Sequence, residues 1–124
     1  MQNLPKIPQL IDLEILPWFN KLAMAEDCVK QVQKDLVSYG IQLTYSGNVH
    51  SAYIELFNQL EPQLNQLLKN GSHTIQEILY RVDVNQSAVN KAKLSDEPLS
   101  EALSRLILWR ELQKVVTRFL MKQK

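Results

Sequence analysis

The chain has 124 residues, 45% apolar and 22% charged, with a formal net charge of +1. That is enough chain for one domain with one sizeable core, and the near-neutral balance gives no overall pull toward nucleic acid or anionic lipid. The single cysteine excludes an internal disulfide and a thiolate zinc cluster.

Residues 1–16 read as an N-terminal arm. Pro5, Pro8, Asp12 and Glu14 interrupt it, so it lacks the apolar run of a signal peptide. Leu10, Ile11, Leu13, Ile15 and Leu16 make it too apolar for a free tail, and the expectation is that it packs on the body. Pro17 suits the first turn of a helix. From Trp18 to Tyr39, apolar residues recur every three or four positions (Leu22, Ala25, Cys28 or Val29, Val32, Leu36, Tyr39), which is a helical stripe. Gly40 stands where helices end, and Cys28 reads as a small core residue.

Residues 41–48, IQLTYSGN, alternate briefly as a strand would. No partner strand is evident, and a lone strand leaves its backbone unsatisfied, so the expectation is a loop. The next helix spans about 49–68, with Tyr53, Leu56, Phe57, Leu60, Leu64, Leu67 and Leu68 on one face and a kink or break expected near 59–61 ahead of Pro62. After Asn70-Gly71, Ser72 or Thr74 is expected to cap a further helix, Thr74 and Glu77 having capping-box spacing. Ser95-Asp96-Glu97-Pro98 then opens a last helix that runs to about Met121 without Gly or Pro. The whole, 1–124, is expected to be one all-α domain, a compact bundle of four or five helices.

In the last helix Leu106, Ile107, Leu108 and Trp109 are consecutive, so at ~100° per residue they point four ways. The apolar face before them (Leu99, Ala102, Leu103, Leu106) is rotated against the one after them (Trp109, Leu112, Val116, Phe119, Leu120). Such a helix is either central in the bundle or offers its second face to another chain. From residue 99 onward there are six Lys or Arg against two Glu, a net of +4, while the rest of the chain sums to −3. Arg110, Lys114, Arg118 and Lys122 step by four and form a basic ridge.

The stretch 75–93, IQEILYRVDVNQSAVNKAK, reads as a helix, a break at Asp83 and a second short helix. Ile78, Val82, Val84 and Val89 fall where a helix-turn-helix needs apolar residues, and Asn85, Gln86, Ser87, Asn90, Lys91 and Lys93 would face outward to bases and phosphates. Leu79 is larger than that motif favours, no arginine lies in the second helix, and Arg81 is expected to pair locally with Asp83.

ILYRVDV (78–84) followed by LILWRELQKVVTRF (106–119) resembles the C-terminal half of short, uncharacterised helical proteins of Bacteroidetes-type bacteria. The resemblance implies a bacterial, cytosolic origin and carries no activity.

Chemistry is sparse. His50 and His73 lie in different segments with no partner at metal-ligand spacing, and there is no phosphate loop or nucleophile elbow. No cofactor, metal or catalytic residue is expected, and no stretch is apolar enough to span a membrane. The sequence reading is therefore a non-enzymatic, cytoplasmic protein-interaction module that docks a protein partner or a second copy of itself through Trp109, Leu112, Val116, Phe119, Arg110, Lys114 and Arg118. The alternative is a DNA-binding protein with a degenerate helix-turn-helix at 74–93.

Overall fold

The structure, a computed structural model, describes residues 21–71 and 73–122. The N-terminal arm and the first turn expected after Pro17 lie outside the described residues. Those described form five α-helices and no strand: α1 Leu22–Leu36, α2 Ala52–Lys69, α3 Thr74–Val82, α4 Gln86–Leu94 and α5 Leu99–Lys122. No helix among them is long and apolar enough to cross a membrane.

The all-α expectation holds, and α5 is the reason the helices assemble. It packs against α1, α2, α3 and α4. Leu106, Ile107, Leu108 and Trp109 are all buried, as are Leu112, Val115 and Val116. Four neighbours cover the four directions in which those residues point, each buried leucine stabilising the bundle by about 1.5–3 kcal/mol. The rotated second face is therefore part of this chain's own core, except for Leu120 at its end, which is 48% exposed. It no longer argues for a partner: Trp109, Leu112 and Val116 are inside, and Phe119 packs partly buried against the same cluster.

α1 buries Met24, Ala25, Cys28, Val29, Val32 and Leu36, together with Asp35. It tightens into a 3-10 turn over Val37–Tyr39 and stops at Gly40, whose φ of 82° is a left-handed conformation that costs glycine little. α2 buries Leu56, Leu60 and Leu64, and Pro62 does not break it. Pro62 is exposed, as is Asn58, the residue whose carbonyl loses its partner, so water can satisfy what the ladder cannot. The last helix begins one residue later than a first-turn proline implies: Pro98 is the cap, its carbonyl accepting from the amides of Glu101 and Ala102. At α3 the cap position is His73, with no side-chain cap bond, so Thr74 and Glu77 do not form a capping box.

Residues 41–46 run extended beside α2 and find their hydrogen bonds there. Gln63 accepts from the Gln42 amide (3.2 Å) and donates to its carbonyl (3.0 Å). Gln59 does the same for Thr44, at 2.8 Å each way, and Glu55 accepts from the Ser46 amide at 2.9 Å. The register works because four helical residues rise ~6.0 Å and two extended residues advance ~6.6 Å. Side chains at every fourth helical position can therefore meet every second backbone position, running antiparallel. The expectation of a loop holds, since no strand pairs with the segment, and amide side chains of α2 stand in for a neighbouring strand. On the inner side Ile41 and Leu43 are buried. Gln59→Leu should cost about 1–2 kcal/mol in urea unfolding, with faster amide exchange at Thr44, because water replaces part of what is lost at this exposed site.

Candidate functional site

Two features of the surface and interior carry chemistry. The first is the junction of α3 and α4. Asp83 ends α3 in a left-handed conformation, φ 71° and ψ 48°. The amide of Val84 donates to Leu79 O at 3.0 Å and that of Asp83 to Tyr80 O at 3.1 Å. This is the paired C-terminal closure in which the two flanking apolar residues, here Leu79 and Val84, face a common space. Asn85 then caps α4, its side chain accepting from the amides of Ser87 (2.7 Å) and Ala88 (3.4 Å).

The turn is not closed by Arg81, as its position suggested. Arg110 of α5 reaches across instead, donating from Nε to Asp83 O and from Nη2 to Asp83 Oδ2, both at 3.0 Å. Arg81 turns the other way, Nε lying 3.5 Å from Asp35 Oδ1. Asp83→Gly should change stability by less than about 1 kcal/mol, since relief of the left-handed backbone offsets the exposed ion pair and the added chain entropy. Asp83→Val should cost about 1–2 kcal/mol, because a branched side chain fits that conformation poorly. Thermal denaturation of the two variants separates backbone strain from charge.

Between α3, α4, the end of α2 and the start of α5 lies a groove of about 660 Å³. Its floor is Leu68, Ile75, Leu79, Val84, Val89 and Leu103, with Gln76, Gln86 and Lys93 at its edge. Tyr80, 89% exposed, stands beside it. Of the residues proposed to contact nucleic acid, Asn85 is occupied as a cap and Gln86 donates to Asn90 Oδ1 at 3.0 Å. Ser87, Lys91 and Lys93 are exposed.

The second feature is interior. Asp35 of α1 and Glu111 of α5 are both buried, Glu111 completely. Lys114, one turn along α5, places Nζ 2.9 Å from Asp35 Oδ2 and 2.7 Å from Glu111 Oε1. Gln31 donates to Asp35 Oδ2 at 2.9 Å and accepts from Arg118 at 2.8 Å. Burial works to raise the Asp35 pKa, but bonds from Gln31, Lys114 and the Glu111 carboxyl outweigh it and hold Asp35 below the usual carboxylate range. Glu111 goes the other way: burial pushes it up to about 8, Lys114 opposes this, and the Asp35 carboxylate adds to it. Cys28 is fully buried beside them, and burial foremost, then the Glu111 charge, pushes its thiol up, so it is an inert core residue.

These pairs also account for the basic ridge. Arg110 is held by Asp83, Lys114 by Asp35 and Glu111, and Arg118 by Gln31. Three of its four cations are matched inside the chain. His50 and His73 are exposed, and no cluster of three metal-ligating side chains occurs among the described residues. Comparison with protein-family models, with curated proteins and with solved structures finds no match.

Proposed function

We propose that the chain is a non-enzymatic helical interaction module, and that its docking surface is the α3–α4 groove rather than the last helix. The observation that supports this is the apolar floor of that groove, lined by side chains of four helices and bordered by the exposed ring of Tyr80. Tyrosine at the edge of an apolar concavity supplies a large contact area at low entropic cost. The occupant that fits is an amphipathic helix of a partner protein, laying apolar side chains on Leu79, Val84 and Val89. Lys93, which makes no ion pair among the described residues, would meet an acidic residue of that helix.

A photo-crosslinking side chain placed at Tyr80, and at exposed Ile54 on α2 as the control, tests this in cells. Adducts at Tyr80 alone, mapping to one apolar-acidic helix and lost in Lys93→Glu, are expected. Adducts to nucleic acid that weaken with salt would favour the helix-turn-helix reading instead. Adducts to the chain itself would make the partner a second copy. Equal labelling at both positions would remove the groove as a docking surface.

A further inference from the structure

We propose that Asp35 and Glu111 hold one proton between them, and that this proton keeps α1 seated on α5. The geometry leaves little alternative for Glu111. Its side chain is wholly buried, and neither oxygen accepts a hydrogen bond of proper angle. The 2.7 Å approach of Lys114 is a bare ion contact. A buried carboxylate that accepts no hydrogen bond is costly. A neutral carboxyl that donates one to a neighbouring carboxylate is not. Asp35 is that neighbour: the two carboxyl groups converge on one ammonium, Lys114 Nζ lying 2.9 Å from Asp35 Oδ2 and 2.7 Å from Glu111 Oε1. Two acids sharing a low-dielectric site cannot both ionise cheaply, so they titrate as a pair.

Asp35 is also where three helices meet. From α1 come Gln31 and Asp35 itself, with Cys28 alongside; from α3 comes Arg81; from α5 come Glu111, Lys114 and, through Gln31, Arg118. With the proton in place, the two acids carry one negative charge between them, opposite Lys114 and Arg81. When hydroxide removes it, the Glu111–Asp35 bond is lost and two carboxylates face each other inside the core. The contact that yields is α1 against α5, since Asp35 lies in the last turn of α1. The inference is independent of the docking groove.

The test is a carbon-13 carboxyl titration of the full chain from about pH 5 to about pH 10, with amide-exchange protection of residues 28–36 measured in parallel. One glutamate carboxyl should titrate near 8 and be missing from the Glu111→Gln spectrum. Protection of α1, corrected for the intrinsic base-catalysed rate, should fall at least about tenfold between about pH 5 and about pH 8 in the wild type, level off above the Glu111 transition, and stay level throughout in Glu111→Gln. If Glu111→Gln does not fold, Asp35→Asn serves: without the acceptor charge, the Glu111 transition should move to lower pH. A Glu111 carboxyl that titrates with ordinary glutamates overturns the shared proton. An α1 whose protection is flat from about pH 5 to about pH 8 overturns the latch, as does a transition that Asp35→Asn leaves in place.

Discussion

Lys114→Met should destabilise the chain by about 3–5 kcal/mol at pH 7, the largest single-substitution effect expected here. Methionine keeps most of the apolar stem, so the packing change is small and the loss is electrostatic. Lys114 reaches both Asp35 and Glu111, and it is the only cation close to both among the described residues. Without it, Asp35 keeps Gln31 and the more distant Arg81, and one buried negative charge is left under-compensated. The chain has an escape at low pH, where Asp35 can take a proton. The penalty should therefore shrink toward about pH 3, below the ordinary aspartate range. Urea unfolding at neutral and acid pH measures both. A loss of less than about 1 kcal/mol at pH 7 would mean that the cluster behaves as a solvated surface pair.

The second large effect is the dependence of wild-type stability on pH. Glu111 has a raised folded pKa, about 8 against an ordinary 4.5. Its contribution is fully present below 4.5 and is lost as pH rises toward 8, with a slope approaching ~1.4 kcal/mol per pH unit. Asp35 has the opposite sign. Its folded pKa lies below 3.8, so its contribution is present above 3.8 and is lost as pH falls further. Together the two give maximal stability near pH 4–5 (~4.5) and a decline through neutrality. Glu111→Gln should flatten the alkaline decline and make the chain more stable than wild type at about pH 8, while leaving the acid limb unchanged. Melting temperatures across the range read this directly. A wild-type stability that rises from pH 5 to pH 8 would contradict it.

Much of the fold was legible because punctuation and periodicity agreed. The break at Asp83, the stop at Gly40 and the cap before Leu99 each combine a residue suited to a special backbone with a change of apolar phase. The crowding of Leu106 to Trp109 correctly narrowed α5 to two alternatives, a central helix or an interface. Sequence alone could not choose between them, since an apolar face looks the same whether its own chain or another covers it. The acid pair was missed because its members are far apart in the chain and charged residues are assigned to surfaces by default. A signal existed. Asp35 falls three residues after Val32 and seven after Cys28, on the buried stripe of α1, and Glu111 falls between Leu108 and Val115, three after the one and four before the other, on the buried side of α5. A charge in phase with a core stripe implies a buried partner. The arrangement of Arg81 and Arg110 was unreadable for a different reason: which acid a long side chain reaches depends on helix placement, and local spacing favoured the wrong one.

The glutamine ladder on α2 has a consequence for solubility. An extended segment normally offers a row of open backbone groups that can recruit another chain into a sheet. Here Glu55, Gln59 and Gln63 occupy that row along 42–46, while Gln33 takes the carbonyl of Leu43 and Leu36 the amide of Ile41 from the other side. The segment is thus quenched along its α2 margin, and in part along the other, without any strand beside it. Thr44 Oγ1 and Ser46 Oγ add their own bonds to Gln59 and Glu55, so of the segment's outward side chains Gln42 is the one that can drift freely in sequence. The amides of α2 cannot: losing them would turn this stretch into a template for cross-β growth.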